Sequence, residues 1–417
     1  YTLWHTLSLH DALPILSLIF NIVIKDTPVV WSAYLFYPLL ITVPTLIFIL
    51  GLSFLLMILF RSQALTFLVL LGYITLTLFY FEDRLYGTLD YMAFNLPMVY
   101  SDIIHFSDFK AIILQRGSYF LLGISFIFAT IRFMGRLPQV GRLNFINTIG
   151  FILCFSTGLF LSWTYFNHHD LEKTERNRFL KLNNQFATMN TVDILSNDLS
   201  VEQLGKSISA KSSLYVQNSN DEILDTLIFS LNPGLRLDSI TSSSGETSFK
   251  RKDQILMIFP EKGMRPQSRR NYVFYYHGKP IDHIAYLDIP DRMHEAWRKT
   301  HLAPVDKKAS VINENYLLLV PEILWYPRAG VTFNEVNFLP EKVDFAKFSL
   351  EVKTRKGFIP VSSGEVTTTD SIFKFNNKTN LSGIALAIGR FEKRSIMIDN
   401  LEYNLYLIPG HDYFSGY

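Results

Sequence analysis

The pattern of apolar and polar positions divides the chain into two halves. Residues 27–81 contain one charged residue, Arg61, and are otherwise apolar or uncharged. A core helix of a water-soluble protein needs a polar face, whereas crossing the hydrocarbon of a bilayer takes roughly 20 apolar residues. The pattern therefore predicts a membrane hairpin that turns at Arg61.

The apolar runs of the first half predict a bundle of about four membrane spans. We expect these spans at residues 39–60, 64–81, 118–134 and 148–166. No Asp, Glu, Lys or His lies inside them, which argues against an ion-coupled transporter because such proteins carry ionisable groups within the membrane. Single glycines in spans either permit close helix packing or have no specific role; they are Gly51, Gly72, Gly123 and Gly158.

The charges of the loops predict an orientation. The turn at Arg61 and residues 132–142 fall on one side of the membrane and carry only positive charge, whereas the connection 82–116 is acidic. The positive-inside rule places the basic loops in the cytoplasm. Everything after Phe166 is then extracytoplasmic, in a multi-pass protein of the inner membrane. The connection 82–116 has apolar content and fits either a permease vestibule or a simple packing segment.

The second half has a different pattern. Residues 167–185 are polar and charged, which predicts a helical stalk with a solvated face. From residue 186 onward, apolar and polar positions alternate between turn residues, which predicts an all-β domain of antiparallel sheet or sandwich type. The runs are 227–231, 254–259, 272–276, 348–353, 384–388, 396–398 and 403–407. Residues 291–299 are the one short helical candidate.

Composition narrows the functional classes. The formal net charge is +2, and we expect no nucleic-acid partner. Cys154 is the only cysteine, so intrachain disulfides and Cys/His zinc sites are excluded. Residues 5–15 read HTLSLHDALPI, which resembles the translation of a short-read sequencing adapter. We expect residues 1–15 to be an artefact and the remainder to be an internal fragment of a longer protein.

Motifs for catalysis and metal binding are incomplete. His294-Glu295 begins like the zinc helix H-E-x-x-H, but Arg298 stands where the second histidine is required, so a solvated helix is the simpler interpretation. The serines before Gly245 lack the Lys-Ser/Thr of a phosphate-binding loop, so any ATPase must be another chain. The pairs without a third ligand nearby are His168-His169 and His411-Asp412.

The remaining motifs favour packing and surface turns. The segment 325–328, Trp-Tyr-Pro-Arg, ends an apolar run and predicts core and edge packing. Asn377 and Asn380 each begin a glycosylation sequon, which mainly indicates a surface turn. We therefore nominate no catalytic, cofactor-binding or metal-binding residue in this chain.

Four segments in a particular order carry a family resemblance. They are residues 228–235, 276–278, 325–328 and 384–391. Their order resembles the N-terminal β domain of zinc aminopeptidases of the aminopeptidase N type. The membrane half, with Pro44 and the apolar run 46–56 before Arg61, resembles an ABC-exporter permease. Together they resemble bacterial ABC transporter permeases fused to a gluzincin aminopeptidase-like domain.

The resemblance implies domains and partners. Residues 16–166 would be permease-like helices, 167–185 a linker and 186–417 the β domain. In the family, a G-x-M-E-N loop and H-E-x-x-H with a downstream Glu follow the β domain, and neither motif occurs in this chain. Zinc is therefore expected only in a downstream domain, and the sequence leaves open whether the whole protein is an enzyme.

Three functions follow as hypotheses. The first is a permease working with a separate ABC ATPase subunit. The second is a membrane-anchored zinc aminopeptidase acting on peptides, and the third is a membrane-tethered binding or scaffold domain. All three have the lipid bilayer as a partner.

Overall fold

The computed structural model describes residues 18–20, 22–23, 31–81, 85–94, 96–101, 103–134, 141–243, 245–289, 308–331 and 344–411. The adapter-like string 5–15, the helical candidate 291–299 and the His294-Glu295 pair lie outside these residues. The chain divides into two compact units. The described residues up to Tyr100, with Phe106–Leu171, form the helical unit; Ser101–His105 and the described residues from Glu172 onward form the β unit.

The described helices follow the apolar runs closely. The α-helices are α1 (Trp31–Tyr37), α2 (Val43–Phe60), α3 (Gln63–Phe79), α4 (Phe109–Phe133) and α5 (Gly141–Phe186). A π-helical segment, Pro38–Thr42, joins α1 to α2. Short 3₁₀ turns occur at Leu85–Gly87, Asp282–Ile284 and Pro321–Ile323.

Three helical stretches are long and apolar enough to cross a membrane. They are Ala33–Phe60, Phe109–Phe133 and Asn144–Phe186. The expected span 64–81 corresponds to α3, which is apolar but shorter. The stalk residues 167–185 are helical as part of α5 rather than as a separate element.

The hairpin between α2 and α3 turns where the single charge predicts it. Arg61 has a left-handed backbone with φ of 52° and ends α2. Ser62 then caps α3, because its hydroxyl accepts a hydrogen bond from the Leu65 amide at 3.4 Å. A cap of this kind satisfies one of the free amides at a helix start.

The helix that corresponds to the expected third span starts before residue 118. Helix α4 begins at Phe109, where the Asp108 carboxylate accepts a hydrogen bond from the Ala111 amide at 2.9 Å. The first turns of α4 therefore include Lys110 and Arg116. Charged residues are tolerated there because Lys110 is exposed and Arg116 finds polar partners inside the unit.

Two glycines let α2 and α4 approach to backbone contact. A Cβ added to Gly51 would lie 2.4 Å from the Gly123 carbonyl oxygen, and one added to Gly123 would lie 2.6 Å from the Ile47 backbone. Backbone atoms cannot move aside as a side chain can, so both positions require glycine. Gly72 has no atom within 4 Å of its added Cβ, so there a glycine has no packing role.

The residues that the structure describes form twenty strands. They are β1 (Tyr100–Ser101), β2 (His105–Phe106), β3 (Asp193–Leu204), β4 (Ser207–Gln217), β5 (Leu227–Ser230), β6 (Leu235–Ser242), β7 (Gly245–Glu246), β8 (Phe249–Lys252), β9 (Ile255–Ile258), β10 (Arg269–Gly278), β11 (Val311–Ile312), β12 (Tyr316–Leu319), β13 (Arg328–Ala329), β14 (Lys347–Lys353), β15 (Ile359–Ser362), β16 (Glu365–Thr369), β17 (Ile372–Asn376), β18 (Leu386–Gly389), β19 (Glu392–Ile398) and β20 (Leu401–Leu407). Strands β3 to β20 belong to the β unit.

The sheets are mixed, which corrects the expectation of a purely antiparallel domain. The main sheet has the order β16-β17-β14-β3-β4-β10-β6-β7, and two further sheets have the orders β11-β12-β18-β15 and β13-β5-β9-β8. Strand β14 pairs with β3 in parallel. A parallel pair needs a long crossover between its strands, and the chain supplies one because β4 to β13 lie between them in sequence.

Alternation along the strands builds the core of the β unit. In β14, Phe348, Leu350 and Val352 are buried while the residues between them are less so. The same alternation occurs in β10, where Tyr272, Phe274 and Tyr276 are buried. These side chains belong to one hydrophobic cluster that extends through all three larger sheets.

Candidate functional site

A buried arginine is the main polar feature of the helical unit. Arg116 on α4 is only 1% exposed. Its Nε donates to Gln115 Oε1 at 2.7 Å. Its terminal nitrogens donate to Thr45 Oγ1 at 3.2 Å and to the carbonyls of Tyr91 and Asp90 at 2.9 and 3.1 Å. We call Arg116 with these four acceptors the Arg116 clasp.

The Arg116 clasp fixes the connection between α3 and α4 onto the helices. Gln115 reinforces it, because its side-chain nitrogen donates to the carbonyls of Gly87 and Asp90 at 3.0 and 2.8 Å. Tyr91 and Leu96 of the connection are almost fully buried. The sequence allowed this connection to be a permease vestibule or a packing segment. The observed burial matches a packing segment.

Aromatic rings fill the space beside the Arg116 clasp. Phe48 and Tyr119 make an edge-to-face contact with ring centroids 4.8 Å apart. The guanidinium lies 5.1 Å from the Tyr119 ring centroid, within the range of a cation–π contact. Tyr119 also donates its hydroxyl to the Thr88 carbonyl at 2.8 Å. Tyr119 thus combines ring packing with a hydrogen bond to the connection between α3 and α4.

One histidine of the His168-His169 pair has a carboxylate partner. His168 Nε2 lies 2.9 Å from Asp108 Oδ2, the same carboxyl group that caps α4. His169 stacks on Tyr86 with ring centroids 5.8 Å apart. The sequence could not foresee the Asp108 contact because the two residues are far apart in the chain and meet only when α4 and α5 pack.

A second buried arginine organises the β unit. Arg176, in the part of α5 that belongs to this unit, is 6% exposed. Its guanidinium donates to the carbonyls of the loop 283–289: His283 at 3.3 Å, Ala285 at 2.7 Å, Ile289 at 3.0 Å, and Tyr286. We call Arg176 with these carbonyls the Arg176 clasp.

Neighbouring groups extend the Arg176 clasp. His283 stacks on Phe179 with nearly parallel rings 5.7 Å apart, and its Nε2 lies 2.8 Å from Glu175 Oε2, an ion-pair distance without aligned hydrogen-bond geometry. Burial lowers the pKa of His283, and the nearby carboxylates of Glu172, Glu175 and Asp282 oppose that shift. Burial therefore favours neutral His283.

The segment 228–235 forms a buried turn that ties three parts of the β unit together. The Asn232 side chain donates to the carbonyls of Ile281 and Ile323 at 2.9 and 2.6 Å and accepts from the amides of Gly234 and Ile281. Arg251 donates to the carbonyls of Asn232 and Leu235. Burial lowers the pKa of Arg251, so this guanidinium acts as a structural donor.

The aromatic segment 325–328 lies in the core, as its packing interpretation predicts. Trp325 is fully buried and its indole N–H donates to the Ile384 carbonyl at 3.3 Å. The Tyr326 hydroxyl accepts from the Ile384 amide at 3.1 Å, and burial raises its pKa. The segments 325–328 and 384–391, which both carried the family resemblance, are therefore in contact.

The two sequons differ in the structure. Asn377 is buried, and its side-chain nitrogen donates weakly to the Phe348 carbonyl at 3.4 Å. Asn380 is exposed at a turn, where it donates to the Phe345 carbonyl. The surface-turn interpretation therefore applies to Asn380 and fails for Asn377.

The described residues do not fit a zinc site. Among them, no group of three or more His, Cys, Asp or Glu side chains is placed to hold a metal ion, whereas a catalytic zinc takes three protein ligands. The main polar sites are instead the Arg116 clasp and the Arg176 clasp, in which a guanidinium group holds backbone segments by hydrogen bonds. Sequence reasoning missed the roles of both arginines, because six of their eight acceptors are backbone carbonyls, which no side-chain motif indicates.

Comparison with known proteins gives distant structural similarity. No family model matches this chain. No curated protein matches it either. An M1 zinc metallopeptidase from Deinococcus radiodurans aligns with 52% of this chain and 47% of its own length, at 15% identity and a TM-score of 0.37. A two-domain M1 zinc metallopeptidase variant bound to L-tryptophan gives the same values.

A third solved structure behaves in the same way. It is a variant of the Deinococcus radiodurans enzyme bound to a Tyr-Ser-Ala substrate, at 14% identity and a TM-score of 0.37 over 53% of this chain. The chain spans about half the length of the solved structures it matches. A similarity of this size says nothing about activity, substrates or cofactors.

Proposed function

We propose that this chain is a membrane-anchoring module: its apolar helices sit in a bilayer and hold the β unit on the extracytoplasmic side. The observation that carries this proposal is the surface of the helices. Phe67 on α3, and Ile152, Phe160 and Trp163 on α5, each leave more than half of their surface exposed. Exposed apolar surface of this extent needs a nonpolar partner, and helices of this length match the hydrocarbon thickness.

The β unit then serves as the companion of a zinc aminopeptidase domain that acts on peptides. Support comes from the order of the segments 228–235, 276–278, 325–328 and 384–391, which resembles the aminopeptidase N type. Three of these segments meet in the structure, because Ser230 pairs with Arg328 and the Trp325 indole donates to the Ile384 carbonyl. In this proposal the catalytic zinc belongs to residues other than those described.

A permease working with a separate ABC ATPase is the second candidate. One observation favours it over simple anchoring. Tethering a domain requires a single span, yet α2 and α4 pack to backbone contact at Gly51 and Gly123. The two helices, together with the connection that the Arg116 clasp holds against them, form a helical bundle, as a permease requires. The ATPase would be a separate subunit, because the chain has no phosphate-binding loop.

One purification separates these candidates. The full-length protein that contains this chain is tagged, extracted from native membranes with a mild detergent and captured, and the eluate is assayed for chelator-sensitive release of N-terminal amino acids and for nucleotide-dependent ATPase activity. Peptidase activity supports the aminopeptidase proposal and ATPase activity supports the permease. Recovery of the chain without either activity contradicts both and leaves the tethered scaffold. Extraction of the chain by alkali alone, without detergent, contradicts the membrane proposal itself.

A further inference from the structure

Strand β16 is an edge of the main sheet, and within the described part of the chain no other strand pairs with its outer side. It is the outermost strand and pairs with β17 on one side. All five of its residues are exposed. Natural edge strands are usually protected by lysines, prolines or bulges. In β16, Glu365 is followed by Val366 and three threonines, which are residues that favour β structure.

The backbone of β16 presents free hydrogen-bonding groups in a defined pattern. Thr369 and Ile372 face each other across a two-residue turn in which Asp370 has φ of 54°. Residues that flank such a turn exchange both backbone hydrogen bonds. Alternation then directs the N–H and C=O groups of Val366 and Thr368 away from β17.

One face of the main sheet packs against the core of the β unit. This face continues to β16, where its side chains are exposed. Val366 stands opposite Phe375, and Thr368 stands opposite Phe373. Phe375 is buried and Phe373 packs against the core of the β unit. Val366 shares their face but is 49% exposed, because no strand of the described residues lies beside it on the side away from β17. One more strand would cover it.

We propose that the edge of β16 is a self-association surface at which two copies of this chain pair antiparallel, with Thr367 opposite Thr367 of the second copy. In this register Val366 faces Thr368 of the second copy, and Thr368 faces Val366 of the second copy. These are the residues whose backbone groups point outward, so every outward donor and acceptor meets a partner. The two main sheets become one continuous sheet.

The side chains argue for a second copy as the occupant. Glu365, the one charged residue of β16, falls opposite Thr369 of the second copy, so no like charges face each other. The threonine pair at the centre is a favourable cross-strand pair. Chains that share a bilayer also meet at a raised effective concentration. This inference goes beyond the proposed function and does not depend on a peptidase or an ATPase.

Cysteine cross-linking tests the register directly. In a Cys154→Ala background, the full chain carries either Thr367→Cys or Thr369→Cys, and membranes are treated with a mild oxidant. Thr367 meets itself across the symmetry axis, within reach of a disulfide. Thr369 lies on the same face of the same strand but opposite Glu365, and is a matched control.

The expected result is conversion of the Thr367→Cys chain to a disulfide-linked dimer while the Thr369→Cys chain stays monomeric on a non-reducing gel. Equal cross-linking of both variants, or of neither, overturns the proposal. Cross-linking of the Thr367→Cys chain to a different polypeptide also overturns it, because the edge then receives another strand.

A proline variant gives an independent measurement. Thr368→Pro removes an outward N–H that β17 does not use, and proline is tolerated at such edge positions. In lipid nanodiscs we expect loss of the wild-type dimer by light scattering, with an unchanged unfolding temperature, while Thr368→Ser keeps the dimer. A monomeric wild type, or a dimeric Thr368→Pro that is folded, contradicts the proposal. If Thr368→Pro does not fold, the cysteine pair decides.

Discussion

The helical unit and the β unit bury an arginine in the same way but for different structural purposes. Arg116 and Arg176 both lie on helices, and each donates to four oxygens, most of them backbone carbonyls. An arginine cannot lose its proton in a protein, and in both sites backbone carbonyl dipoles face the buried guanidinium.

The difference lies in how far the acceptors are along the chain. The carbonyls of Asp90 and Tyr91 are about 25 residues before Arg116, so the Arg116 clasp closes a neighbouring segment. The Arg176 clasp binds residues more than 100 positions away. Local closure costs less loop entropy than distant closure. The Arg116 clasp can form when its helices pack, whereas the Arg176 clasp requires the β unit to fold.

The largest expected effect comes from removing Arg116. Arg116→Met keeps the volume but removes the four hydrogen bonds of the buried guanidinium, each worth about 1 kcal/mol or more. We expect the free energy of unfolding of the helical unit, measured in mixed micelles, to fall by roughly 4 kcal/mol. Lys110→Met, an exposed position on the same helix, is the control and should change it little. Equal losses of unfolding free energy for Arg116→Met and Lys110→Met would contradict a stabilising role of the Arg116 clasp.

Removing Arg176 should cost less. Its carbonyls lie on a loop in which His283, Tyr286 and Ile289 are half-buried, so water can reach part of the vacated site. For Arg176→Met we expect a loss of about 2 kcal/mol in chemical denaturation of the purified chain, followed by the signal of the β unit. Arg178→Met, which breaks an exposed ion pair with Asp253, should cost under about 1 kcal/mol. A loss larger than that of Arg116→Met would reverse the comparison.

The glycine contact offers a test of rigidity in the helical unit. Gly123→Ala forces its Cβ against the Ile47 backbone, and overpacking of this kind costs about 1–3 kcal/mol. Gly72→Ala meets no atom within 4 Å and should be neutral or stabilising by up to about 1 kcal/mol. Thermal unfolding of both variants in detergent measures the contrast. If both are neutral, the helices are not in backbone contact.

The smallest expected effect is a pH dependence confined to the β unit. Burial lowers the pKa of His283 below its ordinary value of 6.5, so the unfolded chain binds a proton more readily than the folded one. The stability of the β unit should be intact above that pH and decrease as the pH falls through 6.5. The difference between the unfolding temperatures of the wild type and His283→Gln, followed from pH 8 to pH 5, measures this. A difference that stays constant across the range contradicts it.

Local patterns predicted individual elements well. The alternation of Phe348, Leu350 and Val352 gave a strand that matches β14, and the lone charge at Arg61 gave the turn between α2 and α3. Both signals are set by neighbours in sequence. A strand is indicated by the alternation of apolar and polar residues within it, and a turn between membrane helices by a charged residue that interrupts an apolar run.

Non-local arrangements could not be predicted in this way. The parallel pairing of β14 with β3 depends on a crossover through ten intervening strands, so the antiparallel expectation was wrong. The hydrogen bonds of Arg116 could not be predicted either. Two of its acceptors are backbone carbonyls of the connection before α4, and carbonyls belong to every residue, so the sequence gives no signal for them.

The placement of the two units relative to the membrane is the central claim, and cysteine labelling in intact cells tests it most directly. In the Cys154→Ala background, Lys206→Cys puts a thiol on the exposed turn between β3 and β4, and Gln63→Cys puts one at the exposed start of α3. We expect a membrane-impermeant maleimide to label Lys206→Cys in intact cells and Gln63→Cys only after permeabilisation. Labelling of Gln63→Cys alone in intact cells, or of Lys206→Cys only after permeabilisation, would contradict it.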